Sequence, residues 1–214
     1  MQDEFIDDIK YLNTLNKFIL DEKIDILGLQ EVVSKIKNGL STSHKIYGES
    51  RLSSLLDFSK YNEYNPVITD YEVVSNKTYH LPFIGSKIPR IATVLTINSD
   101  EVLLRVINTH LCLYKYHEVK KKELDKLIDI VKTSELPTII MGDFNLRENA
   151  EDLKYFQDKL APLGIKMVEN IKKTFGRKIL DYIFVSDCFN VDNISVVKTD
   201  LSDHNALIVD LSLK

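Results

Sequence analysis

The chain has 214 residues, 44% of them hydrophobic, and a formal charge of −4, which provides for one substantial core at the upper end of single-domain size. The charge argues against strong nonspecific nucleic-acid binding, because phosphate affinity comes largely from Lys/Arg neutralisation and counterion release. Seven Gly and five Pro are scattered, and no apolar run approaches the roughly 20 residues of a membrane span. The expectation is one domain over 1–214, without linker, repeat or transmembrane segment.

The opening Met1-Gln2-Asp3-Glu4 is acidic with no apolar stretch behind it, so the chain as given is expected to be cytoplasmic. Phe5, Ile9, Leu12, Leu15, Phe18 and Ile19 recur at three- and four-residue intervals and predict a helix from Phe5 to Leu20. Ile24 to Gln30 is short and apolar and predicts a buried strand with Glu31 at its end. From Ser34 to Lys60 the pattern is weak, apart from a short element around Leu52 to Phe58. Strands are expected near Asn65–Ile68, Tyr71–Val74, Ile91–Ile97 and Val102–Thr109, the last two joined through Asn98-Ser99-Asp100 as a hairpin. A helix over Glu118–Lys132 presents Val119, Leu124, Leu127, Ile128 and Val131, with Lys120-Lys121-Lys122 read as a solvated face rather than a phosphate contact. Thr138–Met141 resumes as a buried strand, Asp152–Leu160 as a helix, and Ile179–Val185, Ile194–Lys198 and Ala206–Leu213 as strands. Cys112 and Cys188 fall in apolar strand-like contexts, where free thiols are expected. Strands outnumber helices and arrive in hairpin-like groups, which favours a layered α/β sandwich.

Chemistry-bearing residues collect where apolar strands end: Glu31, His110, Asp143 and Asn145, then Asp181, and the pair Asp203-His204 before the last strand. Strand ends are where sites gather. Each residue alone is an ordinary cap, turn or hydrogen-bonded side chain. Their order along the chain carries more.

Leu29-Gln30-Glu31-Val32, Asn108-Thr109-His110-Leu111, Gly142-Asp143-Phe144-Asn145, Asp181-Tyr182-Ile183-Phe184 and Ser202-Asp203-His204 resemble, in order, the successive signatures of the endonuclease/exonuclease/phosphatase superfamily, whose best-known members are deoxyribonuclease-I-like. The resemblance runs from about Ile24 to Leu213 and rests chiefly on G-D-F-N and the late S-D-H. It implies a four-layer αββα sandwich of two mainly antiparallel sheets flanked by helices. It also implies a Mg²⁺-dependent phosphoester hydrolase, most readily a phosphodiesterase or nuclease; Mn²⁺ suits the same oxygen ligands.

By that resemblance Glu31 and Asp203 are metal-site carboxylates, and Asp181 orients His204. Glu63, in Glu63-Tyr64-Asn65-Pro66, supports His110, and Arg90, in Arg90-Ile91-Ala92-Thr93, contacts phosphate together with His110 and Asn145. His204 or Asp143 activates water, His110 donates toward the phosphate or its leaving oxygen, and Asn145 holds transition-state oxygens. The implied substrate is a phosphoester, with nucleic acid as one candidate; Tyr114 and Tyr116 are read as packing residues near a turn sooner than as a platform for a base. The family's first strand, of the form T-x-N, is expected ahead of the opening helix, where this sequence begins on the helix itself. Two rival readings follow. One is a non-catalytic phosphate-binding module of the same fold. The other is a sphingomyelinase-like lipid phosphodiesterase, which the absence of Trp disfavours, so membrane association is not expected.

Overall fold

The computed structural model describes residues 2–51, 62–86 and 89–214, with side chains from Asp8 onward. The elements are α1 (Gln2–Asp21), β1 (Ile26–Gly28), β2 (Val32–Val33), α2 (Ser34–Leu40), β3 (Ile46–Tyr47), β4 (Glu63–Tyr64), β5 (Val67–Thr69), β6 (Glu72–His80), β7 (Ile91–Ser99), β8 (Val102–His110), α3 (His117–Val131), β9 (Thr138–Asp143), α4 (Glu151–Leu160), β10 (Ile165–Met167), β11 (Asp181–Ser186), β12 (Phe189–Val197) and β13 (Ala206–Leu213). No helix among them is long and apolar enough to cross a membrane.

The principal sheet has the order β10-β11-β9-β8-β7-β6, antiparallel except where β8 and β9 run parallel. Its central strands are apolar on both faces because both faces are covered. Neighbouring residues alternate between two cores: Val94, Ile107, Ile140 and Phe184 pack on Leu124, Leu127, Ile128, Leu153, Phe156 and Leu160 of α3 and α4. Leu95, Val106, Ile139 and Val185 face the other way, toward Ile26, Tyr47 and Val67, and toward Ile194, Val209 and Leu211. The cross-strand register keeps each set on its own side, with Leu95 opposite Val106 and Val94 opposite Ile107. The second layer comprises a β1-β5-β3 sheet and a β12-β13 ribbon, with a β2-β4 pair beside them. Outside it, Leu15 and Ile19 of α1 and Leu40 of α2 pack on Ile68, Ile24 and Leu27. The layers are helix, sheet, sheet, helix, as the motifs imply.

Several expected elements differ in extent. The hairpin turn sits at Asp100 and Glu101, both left-handed (φ 50° and 70°), since a two-residue turn of that hand matches the strand twist and leaves Ser99 paired with Val102. β6 runs on to His80 through a polar stretch; it is an edge strand, largely exposed, so no apolar alternation marks it. β10 was not signalled, being three residues long. The stretch Ser34–Lys60 contains α2 and β3, and the element expected around Leu52–Phe58 lies outside the described residues. Within the Lys120–Lys122 run the solvated-face reading fails at Lys120, which is fully buried. It falls in helical register with Leu124, Leu127 and Val131 and so points inward.

Candidate functional site

Four neighbouring strands bring a row of side chains to one edge of the principal sheet. Arg90 immediately precedes β7, His110 ends β8, Asp143 ends β9 and Asp181 begins β11. His110 lies opposite Asp143, and Asp143 opposite Asp181. The parallel β8–β9 pairing demands a glycine beside Asp143: a Cβ on Gly142, whose φ is 146°, would lie 1.9 Å from the carbonyl oxygen of Thr109. The turn after β9 places Asn145 in the left-handed region (φ 50°). Its backbone N–H donates to Asp143 Oδ1 at 2.8 Å, and its amide Nδ2 donates to Leu111 O and Asp143 Oδ2 at 3.1 and 3.2 Å.

His110 is buried. Arg90 Nη1 approaches its Nδ1 at 3.0 Å, and because a guanidinium only donates, Nδ1 is the acceptor and the ring proton resides on Nε2. Nε2 faces Asp143 Oδ2 at 3.4 Å; the Asn145 Nδ2 is also 3.1 Å away but gives its protons to Leu111 O and Asp143 Oδ2 and accepts nothing from Nε2–H. Burial first, then the charges of Arg90, Lys120 and His204, hold the ring's proton affinity well below the usual histidine value. His110 is therefore neutral, and its approaches to Glu31 (3.6 Å) and Asp143 are dipolar contacts rather than ion pairs. The expected Glu63–His110 pairing does not form. Glu63 Oε2 accepts from Arg51 Nη1 at 2.6 Å, and it is Arg90 that reaches His110, at Nδ1.

His204 Nδ1 lies 2.8 Å from Asp181 Oδ2, and this hydrogen bond is the first cause of a raised proton affinity on His204, opposed by burial. The two residues are joined through Thr174, whose Oγ1 accepts from the N–H groups of Leu180 and Asp181 and whose carbonyl accepts from Asn205 N–H at 2.7 Å. Phe175 stacks against the His204 ring at 4.6 Å. With Nδ1 committed to Asp181, Nε2 is the nitrogen left to exchange a proton. Asp143 is pushed up to about 6, by burial and then by the Asp181 charge.

Glu31 also has left-handed backbone (φ 57°), a conformation rarely kept by a non-glycine residue outside turns and functional sites. Its carboxylate is 59% exposed and no nearer than 3.6 Å to His110 and 3.7 Å to Arg90. Its oxygens are thus open to a further ligand. Among the described residues no three His, Cys, Asp or Glu side chains gather to cage a metal. The open Glu31 carboxylate is the kind of donor a hard divalent cation takes, through one or two carboxylates plus waters and substrate phosphate. Asp203 is exposed on the His204 side, where its charge adds to that ring's proton affinity.

Three supporting residues escaped the sequence reading. Asn108, fully buried, donates through Nδ2 to Leu29 O and Pro66 O and accepts from Gln30 Nε2 at 2.8 Å, so it ties the Leu29-Gln30-Glu31 segment to β8. Arg51 pairs with Glu63, and Thr174 orders the Asp181–His204 pair. Asn108 stood in the N-T-H-L motif; Arg51 and Thr174 carry no comparable sequence signal.

The profile of the Endonuclease/Exonuclease/phosphatase family matches residues 9–204. The chain belongs to this family. Members of the Endonuclease/Exonuclease/phosphatase family are phosphoesterases and nucleases and generally use a divalent metal, so the site belongs to a hydrolase lineage. A UPF0294 protein of Yersinia pseudotuberculosis is 34% identical over 124 residues, 56% of this chain, and the chain spans about half the length of the curated relatives it matches (46% of that protein). Among solved structures, an endonuclease/exonuclease/phosphatase from Bacteroides vulgatus has TM-score 0.80 at 22% identity, over 96% of this chain and 91% of that one. The human Nocturnin catalytic domain, solved with bound sulfate, has TM-score 0.74 at 22% identity over 97% and 87%. A mannosyl-6-phosphatase of Bacteroides thetaiotaomicron has TM-score 0.75 at 18% identity over 100% and 95%. At these identities the structural likeness bears on the fold alone.

Proposed function

We propose that the chain is a Mg²⁺- or Mn²⁺-dependent phosphodiesterase that cleaves by attack of water on phosphorus. The observation that carries this reading is the row Arg90–His110–Asp143–Asp181 with His204 held on Asp181 at 2.8 Å, because it sets a proton acceptor and a set of donors at one strand edge. His204 takes the proton of the attacking water through Nε2, and Asp181 stabilises the imidazolium that forms. Asp143, whose affinity lies near neutrality, is the alternative acceptor. Neutral His110 offers its Nε2–H to a phosphoryl or leaving oxygen. Arg90 neutralises charge on the phosphate, and the Asn145 amide, held beside Asp143 by its own backbone N–H, is a further donor once one Nδ2–H turns from its protein acceptor to the oxygens on which charge develops. Glu31 would hold the metal ion, with Asp203 as the second candidate carboxylate; when bound, the ion polarises the phosphoryl oxygen.

Nucleic acid or a small diester is the preferred substrate. A lipid diester is the second reading, favoured by one observation: chain segments a few residues from Arg90, His110 and Thr174 expose Phe83, Ile84, Leu113, Tyr114 and Ile171, with Ile84 at 88% and Ile171 at 87%. The sequence reading disfavoured lipid for want of Trp, yet these side chains serve an apolar surface equally well. Parallel assays with Mg²⁺ on a single-stranded oligonucleotide, a phosphomonoester sugar and sphingomyelin vesicles separate the readings. Oligonucleotide cleavage supports the preferred substrate, vesicle hydrolysis alone the second, and monoester hydrolysis alone would contradict a diesterase.

A further inference from the structure

Beneath the site, helix α3 buries two charged residues one turn apart: Lys120 and Glu123 are both fully inaccessible. Lys120 Nζ donates to the carbonyl of Phe144 at 2.6 Å and to the carbonyl of Cys112. Glu123 Oε2 accepts the N–H of Cys112 at 2.9 Å. Cys112 follows His110 by two residues, and Phe144 stands between Asp143 and Asn145. One ammonium thus ties the loop that carries His110 to the turn that carries Asp143 and Asn145. Glu123 holds the N–H of the same residue, in the peptide before the one Lys120 takes.

Filling this space would not require a charge. Burying an ammonium is unfavourable, and apolar residues of similar volume commonly serve a core as well or better; burial pushes Lys120 down to about 8. What a lysine supplies here, and Leu or Met could not, is donors for two buried carbonyls on separate loops. The charged and titratable groups around it are Glu123 on α3, the Cys112 thiol after β8, Asp143 on β9 and Arg90 before β7. Its charge favours the ionised Asp143 and the neutral His110. We infer that Lys120, with Glu123, is a positioning residue for the hydrolysis proposed above, fixing the His110 loop and the Asp143–Asn145 turn relative to each other from below. Lys120 touches no substrate; it acts through the two peptides it holds.

Lys120→Met and Lys120→Arg are compared with the wild-type chain, folding being checked by thermal melting. In K120M kcat falls about 100-fold, the scale of a small misplacement of reacting groups, while KM stays within about threefold. K120R, which restores donors and charge, recovers at least about tenfold of that loss. The His110 ring resonances, recorded without substrate or metal, move in K120M and return toward wild type in K120R. This last readout stands even if the wild-type chain hydrolyses nothing, a result that would count against the hydrolase reading and not against the clamp. Should K120M fail to fold, Lys120→Gln, which keeps an N–H donor group on a shorter arm, carries the same measurements. Wild-type kcat and unmoved His110 resonances in a folded variant, or a K120R no better than K120M, would overturn the inference.

Discussion

His110, within the row proposed to be catalytic, and His204, held on its Asp181 end, lie in opposite surroundings. Burial and Arg90 keep His110 neutral, whereas the hydrogen bond His204 donates to Asp181 raises the proton affinity of His204. Environments that separate two titrating groups in this way divide the donor and acceptor roles between them. Replacing His204 by Ala is expected to lower kcat by about 10²- to 10⁴-fold with little change in KM, the range of a lost general base; steady-state kinetics on a diester would check it. Asp181→Asn should leave the ring in place yet lose at least about 10-fold in kcat, since the imidazolium loses its counter-charge. Glu31 makes a different prediction. Its carboxylate is largely exposed, so Glu31→Gln should leave the melting temperature within about 1 °C, as surface substitutions are nearly neutral in stability. It should nonetheless raise the Mg²⁺ concentration needed for half-maximal activity by about 10-fold or more. A metal titration of both proteins decides this, and an unchanged midpoint would remove Glu31 from the metal site.

At the scale of elements, the site depends on the parallel seam between β8 and β9 and on the helix beneath it. Gly142→Ala would drive a methyl group into the Thr109 carbonyl and force a left-handed backbone on a side chain, so a loss of more than about 2 kcal/mol is expected by chemical denaturation. Lys120 gives a pH signature. Its folded affinity is about 8 against an ordinary 10.5, so between those values the unfolded chain binds more protons and stability rises with pH. Below pH 8 the burial penalty is fully present, roughly 3 kcal/mol at 1.36 kcal/mol per unit. The stability of wild type relative to K120M should therefore increase from pH 8 to 10.5; a flat difference would contradict a buried ammonium.

The same elements explain what the sequence disclosed. Ile91–Ile97, Val102–Thr109 and Thr138–Met141 were readable because both faces of the principal sheet are buried, leaving continuous apolar runs. β6 was cut short because an exposed edge strand needs no such run. The Asp181–His204 pairing was legible from its two motifs. The Glu63–His110 pairing was not, because nothing near Glu63 records that Arg51 folds onto it or that Arg90 reaches His110 first. Lys120 was misread from the bias that lysine runs are solvated, although its spacing to Leu124, Leu127 and Val131 marked the buried face.

For the molecule as a whole, four layers serve to hold five chain segments at one edge: the Glu31 segment from the second layer, the ends of β8 and β9, the start of β11 and the Asp203-His204 segment ahead of β13. Asn108 bridges the two sheets at that edge, so the Glu31 carboxylate and the row from Arg90 to Asp181 are tied to a common frame. The exposed apolar side chains Phe83, Ile84, Leu113, Tyr114 and Ile171 sit on chain segments a few residues from Arg90, His110 and Thr174. The most direct measurement is hydrolysis of a chromogenic phosphodiester with Mg²⁺ or Mn²⁺, repeated with a chelator and with His204→Ala. The account predicts turnover that needs the metal and falls at least about 100-fold in the variant. A folded protein that binds phosphate but turns over nothing, or turnover indifferent to chelator and to His204, would contradict it.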